Sequence, residues 1–420
     1  MLAVFTKAIN LVTAADIAEL RAQTWPEGYQ VEFKETLPHK TGRDDPWLRG
    51  QASIGDYARD EILAEVIAFA NSQGGSVIVG IAETPDNPPR AAKVVALPRV
   101  GDLARRFEDQ ARSCIDPPLP RLQIRPIETD GHGKGVLVFR TSPSRAAPHR
   151  LTTTRDSYVR RGTSTVRMTM REIQDMTLNV ARGLAGIDAT FRERRNAFRE
   201  WAGNQKRNAA YRVTALPLVD LPDPGRLYGK PGLFPPSGRK FKAAVGGRPV
   251  DLPIRVAMAG VIERPLLRGV VQSGSYPSGS SRWSIYQSGL SDLWISVPPT
   301  IQMDHDQITL HHSEILGAAA SSLSLIDDYR SQIGASDAEY GIEIEICRFD
   351  SIITPPLIYC DLIELSGIER SEIGQLDVLI PPFPVGSRSE FSNLLATIDV
   401  DIYDALGIDR ALSDPLQVNI

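Results

Sequence analysis

Cysteine is scarce: Cys114, Cys347 and Cys360 are the only three in 420 residues. They are odd in number and far apart. That argues against a disulfide framework or a zinc-finger ligand set and points to free thiols in a reducing cytoplasm. No run of about 18 apolar residues occurs, so no membrane-spanning helix is expected. The opening stretch MLAVFTKAINLVTAADIAELR lacks a basic n-region and a long apolar h-region, and does not read as a secretory signal. Internal repeats and low-complexity tracts are absent. There is also no G-x4-G-K-[ST] phosphate loop: Gly225 to Pro231 and Gly133 to Gly135 come nearest and fail the pattern. The residues therefore support no ATP site.

What is present is an ordinary globular composition, 42% hydrophobic and 23% charged, in a chain long enough for two or three domains. The net charge of -4 conceals an asymmetry. Arg140 to Arg212 carries 16 Lys/Arg against 6 Asp/Glu, whereas residues 301 to 420 carry 5 against 21. The basic block is the better candidate for a polyanion partner. The acidic block either docks on it or keeps the protein soluble.

The chain is organised around Glu27 to Glu83. Residues 29 to 34 alternate, with Tyr29, Val31 and Phe33 on one face and Gln30, Glu32 and Lys34 on the other, which is strand periodicity. A helix is expected from Asp56 to Gln73, ended by Gly74-Gly75. Ser76 to Ile81 then reads as a strand buried on both faces, with Glu83 just beyond it. Three carboxylates, Glu27, Glu32 and Glu83, are expected to meet at these strand ends. The alternative is a surface carboxylate row in which Glu32 simply pairs with Lys34.

Around this stretch, helices are expected near 13 to 24, 102 to 114 and 169 to 182, the last with Ile173, Met176 and Val180 inward. Residues 36 to 55 read as a long functional or mobile loop. Segments 122 to 127 and 135 to 139 read as a hairpin. The domain reading is 1–185 for an N-terminal α/β (α+β) unit, 186–212 for a basic helical connector (Arg192, Arg194, Arg195, Arg199), and 213–420 for a β-rich mixed α+β C-terminal domain. The connector reads first as a solvated helix face. The cluster Asp304, His305, Asp306, His311, His312 and Glu314 tempts as a metal site, but its spacing fits no known pattern and a polar turn is the simpler reading.

Glu27-x4-Glu32-Phe33-Lys34, the helix end Ala68-Phe69-Ala70-Asn71-Ser72-Gln73-Gly74-Gly75 and then Val79-Gly80-Ile81 together resemble the Schlafen AlbA_2 domain. Ala147-Pro148-His149-Arg150 and Tyr158-Val159-Arg160-Arg161-Gly162-Thr163-Ser164-Thr165 agree in order, so the resemblance covers residues 15 to 182. It implies an α/β domain that binds nucleic acid. It also implies the three-carboxylate, divalent-metal site with which animal Schlafen proteins cut transfer and ribosomal RNA. Carried over, Glu27 and Glu32 match the two motif glutamates and Glu83 stands where the third acid, usually Asp, is found. Gly28 replaces the usual Ser.

Phosphodiester cleavage needs an activated hydroxyl and neutralisation of developing charge, and Mg²⁺ or Mn²⁺ on carboxylate oxygens supplies both. Glu27, Glu32 and Glu83 are the expected metal ligands and, with Lys34, the catalytic set. Lys34, Arg150, Arg160, Arg161, Thr163 and Ser164 are the expected nucleic-acid contacts, while His149 reads equally as a phosphate contact or a turn residue. The expected function is a metal-dependent endonuclease acting on RNA (transfer-RNA-like) or single-stranded DNA, in a defence role. The alternative is a non-catalytic DNA-binding regulator whose C-terminal half senses a signal. The expected partners are RNA or DNA and a second copy of the chain, most simply in a two-fold dimer.

Overall fold

The computed structural model describes all residues except 1–2, 41–43, 120, 206–208, 220, 235–240, 246–247, 253–261, 277–278, 298–308, 337, 349–356, 360–377, 406–416 and 420. The chain folds as two compact units, Met1–Gly186 and Ile187–Ile420.

In chain order, the first unit contains α1 (Ala3–Thr6), α2 (Ala14–Ala22), β1 (Val31–Lys34), α3 (Asp56–Ala70), β2 (Gly75–Val79), β3 (Ile81–Glu83), β4 (Ala91–Val94) and α4 (Val100–Cys114). These are followed by β5 (Ile115–Asp116), β6 (Gln123–Glu128), β7 (Gly135–Thr141), β8 (Arg150–Leu151), β9 (Tyr158–Arg161), β10 (Ser164–Arg167) and the first half of α5 (Met170–Asn204). The main sheet has the order β1-β2-β7-β6, with β1 and β2 parallel and the other pairs antiparallel. The expected hairpin is β6–β7.

Two-residue alternation decides what each strand contributes to each face. Val77 and Val79 of β2 join Leu137, Phe139 and the buried sides of α3 and α4 in one core. Val31, Phe33 and Ile78 join α2 and the N-terminal segment in a second core on the other face. Burying each large side chain contributes roughly 1.5–3 kcal/mol, so the sheet is held from both sides. The same alternation turns Glu32 and Lys34 away from the second core, toward α3. Tyr29, expected with Val31 and Phe33, precedes the strand and is 64% exposed.

The expected strand from Ser76 to Ile81 is two strands. Gly80 has φ +106, and its N–H donates to the Lys34 carbonyl at 2.8 Å. A Cβ there would lie 3.1 Å from Val136 and 3.2 Å from the Val95 carbonyl. The chain turns at this residue out of the main sheet into β3, which pairs with β4.

The loop before α3 is pinned. Buried Asp45 accepts hydrogen bonds from the Trp47 and Gly55 amides, both at 2.8 Å, and the Trp47 indole N–H reaches the Pro98 carbonyl. The Arg99 guanidinium lies 4.0 Å from the Trp47 ring and donates to the Trp47 and Gln51 carbonyls.

After the second half of α5, the second unit contains β11 (Ala209–Pro217), β12 (Phe241–Val245), β13 (Arg248–Leu252), β14 (Ile262–Leu266), β15 (Gly269–Tyr276), β16 (Gly279–Tyr286), β17 (Ser291–Val297) and β18 (Thr309–His311). It closes with α6 (His312–Gln332), β19 (Tyr340–Arg348), β20 (Leu357–Tyr359), β21 (Val378–Val385), α7 (Phe391–Ala405) and β22 (Gln417–Asn419). The dominant sheet is antiparallel, β14-β15-β16-β17-β11-β19-β21. One face carries Tyr211, Val213, Trp283, Ile285, Leu293, Ile295, Ile342 and Ile344 against α6 and α7. Its edge strands hold Pro265 in β14 and Pro381, Pro382 and Pro384 in β21, where a missing N–H breaks no central ladder, and Pro217 stands at the last residue of the central strand β11.

The opposite face is charged. Arg212 of β11 is fully buried and bonds Glu345 at 2.7 Å, Glu343, and the Thr214 hydroxyl at 2.6 Å. Arg194 of α5 pairs with Asp292 at 2.7 Å and Arg199 with Glu345 at 2.6 Å. Phe198 and Trp201 pack on Trp294 beside them. The segment expected as a connector is thus the second half of one continuous 35-residue helix, and it packs into the second unit. Arg194, Arg195 and Arg199 are held by acids, with Arg194 only 13% exposed, so a solvated face is corrected for that residue, while Arg192 is exposed. Basic-block residues here meet Glu343 and Glu345 of the acidic block. Within α5, Val180 is half-buried and Leu184 is exposed, so the expected inward stripe is only partly covered. Asp304, His305 and Asp306 lie outside the described residues. His312 is fully buried, 3.0 Å from Asp399.

Candidate functional site: an acid pair beside a buried arginine

Glu27 and Glu83 converge because the segment 89–91 is held from two sides. The Glu27 amide donates to the Pro89 carbonyl at 2.8 Å and the Ala91 amide to the Trp25 carbonyl at 2.9 Å. On the other side Glu83 is registered with Ala91, and the Thr84 amide donates to the Arg90 carbonyl at 2.9 Å. Gly80 sets the direction of β3, so the backbone alone brings the two acids together.

The two side chains stand close enough to perturb each other's ionisation. Burial pushes the Glu27 carboxyl up to about 7, with the Glu32 and Glu83 charges adding to it and the Phe33 amide, 2.7 Å from Oε1, opposing. Burial also raises Glu83, and the Lys34 ammonium opposes that rise.

Glu32 does not join them as a free ligand. One oxygen accepts from Lys34 and the other from Arg160 Nη1 at 3.0 Å. The residue responsible is Arg160 of β9, expected to contact nucleic acid. Its side chain is 1% exposed. It bonds Glu65 at 2.9 Å, Thr165 at 3.1 Å and the Gly28 carbonyl at 3.2 Å, and its guanidinium lies 4.6 Å from the Phe69 ring. A buried carboxylate on β1 needs a counter-charge, and Arg160 supplies it. Arg160 is therefore corrected from phosphate contact to the brace of the site.

Glu65 was missed by sequence reasoning. It accepts from Thr165 Oγ1 at 2.5 Å and lies 3.7 Å from Lys34 Nζ. Burial raises its carboxyl above the ordinary range. The signal was present: Glu65 stands three residues after Ile62 and four before Phe69, on the buried stripe of α3. Burial pulls Lys34 down, but Glu32 and Glu65 outweigh it, so it stays charged; it is 26% exposed.

Among the described residues no group of three His, Cys, Asp or Glu stands where it could hold a metal ion. Of the three expected carboxylates, Glu32 has each oxygen on a cation, and Glu27 and Glu83 are the two without a cation bond of that kind. Two carboxylates still suit a hard divalent ion. Mg²⁺ commonly takes one or two carboxylates and completes its shell with water and substrate phosphate. A bound cation would offset the burial that raises both groups.

The other expected contacts lie on the outside. Arg150 is 51% exposed and bonds Asp116 at 2.8 and 3.0 Å. Arg161 is 55% exposed and pairs with Glu172. Thr163 and Ser164 are exposed where β9 turns into β10 at Gly162, φ +66. His149 is fully buried: Nδ1 lies 2.6 Å from the Pro117 carbonyl and Nε2 2.6 Å from the Ser144 hydroxyl, and burial lowers its pKa. It is a structural residue. Asn71 ties the same region together, donating to the His149 and Tyr158 carbonyls and accepting the His149 amide.

A family model described as Schlafen, AlbA_2 matches residues 27–169. No curated protein matches the chain. Among solved structures, the chain is similar to the N-terminal domain of a putative ATP-dependent DNA helicase RecG-related protein from Nitrosomonas europaea. Identity is 22%, the alignment covers 34% of this chain and 82% of that one, and the TM-score is 0.24. The acid motif, the α3–β2 turn and the β9–β10 hairpin all lie within the matched span, and residues 27–169 of this chain belong to the Schlafen AlbA_2 domain family.

Proposed function

We propose that the first unit binds nucleic acid and cleaves it as a divalent-metal-dependent endonuclease of Schlafen type, acting on RNA resembling transfer RNA or on single-stranded DNA. Binding is the property the family suggests; cleavage is the step beyond it. One observation carries that step: the buried carboxyl of Glu27, before β1, and the exposed carboxyl of Glu83, at the end of β3, are brought together beside a part-exposed lysine, and both are raised above the ordinary range.

Glu27 and Glu83 would hold Mg²⁺ or Mn²⁺, which when bound supplies charge neutralisation at the phosphate and a more acidic water. Lys34, charged and reachable, offers its ammonium to a phosphate oxygen. Glu32 and Glu65 fix that ammonium in place, and Arg160 holds Glu32. Arg150, Arg161, Thr163 and Ser164 offer outer donors to the backbone of the bound strand. A defence role and a two-fold dimer belong to the same proposal, and a monomeric mass at micromolar concentration would remove the dimer.

The test is incubation of the purified protein with total transfer RNA and with single- and double-stranded DNA, with Mg²⁺ or Mn²⁺, beside Glu27→Gln and Glu83→Gln. Cleavage lost in both variants with binding retained is the expected result. Cleavage that survives both substitutions overturns the site. A second reading, binding without cleavage, has its own support in the engagement of both Glu32 oxygens; binding with no cleavage under either metal would favour it.

A further inference from the structure

The charged face of the second unit contains a position where several hydrogen-bond donors are buried without an acceptor. Arg282 of β16 is registered opposite Trp294 of β17, and Ser280 opposite Ser296, so alternation puts Arg282, Trp294 and Ser296 on one face. Trp294 is 2% exposed and Ser296 1%. Among the described residues, the Trp294 indole N–H, the Ser296 hydroxyl and the Arg282 Nε–H are buried without a hydrogen-bond partner. The Arg282 guanidinium lies 5.1 Å from the Trp294 ring, and the Arg194 guanidinium 5.2 Å from the same ring. Arg194, Arg195, Arg199 and Arg212 of this layer each have an acid, drawn from Asp292, Glu343 and Glu345. Arg282 has none among the described residues.

A half-buried guanidinium without a counter-charge is costly, and so are buried donors without acceptors. Indole and guanidinium N–H groups can only donate, so no neighbouring donor relieves them. An oxyanion supplies the counter-charge and several acceptor oxygens at once, and guanidinium suits it geometrically.

We propose that the second unit binds a phosphate-bearing anion at Arg282, with the Trp294 indole N–H and the Ser296 hydroxyl as further donors. The ligand is either inorganic phosphate or the phosphate of a small nucleotide. The proposal is independent of the acid pair in the first unit.

The test is titration calorimetry of the full-length protein with sodium phosphate and, separately, with a nucleoside monophosphate, against sodium chloride at matched ionic strength. The variants are Arg282→Gln, Trp294→Phe, which removes the N–H and keeps most of the ring, and Ser296→Ala. Binding to one or both phosphate probes, weakened at least tenfold by Arg282→Gln and severalfold by Trp294→Phe, is expected. Phosphate heat alone identifies the free ion, and tighter nucleotide binding identifies the nucleotide. No saturable heat with either probe, or equal affinity in wild type and Trp294→Phe, overturns the site. If Arg282→Gln fails to fold, Trp294→Phe and Ser296→Ala decide.

Discussion

Glu27 holds its proton to about pH 7 in the folded chain, against 4.5 for the ordinary carboxyl. The folded state therefore binds this proton more tightly than the unfolded state does. Stability is fully present below about pH 4.5, falls as pH rises toward 7, and is flat above. The loss is at most about 3 kcal/mol, and less because Glu27 and its acidic neighbours titrate together. Glu27→Gln should remove this dependence and raise the melting temperature at pH 8, as read from thermal scans between pH 5 and 8. Mg²⁺ should raise the wild-type melting temperature more at pH 8 than at pH 6, since at the lower pH it must displace the proton. An equal shift at both values would speak against metal on this pair. Arg160→Ala leaves Glu32 and Glu65 with Lys34 as their one remaining cation and should cost about 3–5 kcal/mol in denaturant unfolding. Arg161→Ala, on an exposed pair, should cost under about 1 kcal/mol.

Elements are set here by a few backbone decisions. Gly80 ends β2, and its φ of +106 sends β3 toward β4, which is how Glu83 reaches Glu27. Gly80→Ala should cost about 1–3 kcal/mol through strain and weaken cleavage more than nucleic-acid binding, because it displaces Glu83 and leaves the hairpin of Arg161 in place. Equal losses of both would point to general unfolding. The helix end and the Gly-Gly turn were legible because glycine and asparagine announce a helix terminus. The strand break was not, since Val77 to Ile81 is apolar throughout and only Gly80 interrupts it. The face of β1 was legible as polar, but not as covered: periodicity separates faces and does not say what packs on them. Glu65 and Arg160 come from positions 33 and 128 residues away from Glu32, and nothing local to β1 announces either.

At the scale of the molecule, part of the acidic C-terminal block is structural. Glu343 and Glu345 are buried against Arg212, and α6 and α7 form one side of the core. Deleting residues 301 to 420 should therefore yield an insoluble or molten second unit, read by loss of near-ultraviolet dichroism, and not a protein with an unmasked nucleic-acid surface. A soluble, cooperatively unfolding truncation would contradict this. The charge asymmetry was plain from composition, and part of its purpose became visible only when β11 and β19 were found side by side.

By itself, the sequence determined what local pattern can determine: the helix formers of α3, the β6–β7 hairpin, the mixed α+β class of both units, and the family of residues 27–169 through motifs close in the chain. Only the tertiary structure decided how the acids divide, with Glu27 and Glu83 paired and Glu32 neutralised. Charge on a side chain is written in the sequence. Its availability depends on burial and on counter-charges brought in from distant strands, and those are fixed only when the chain has folded.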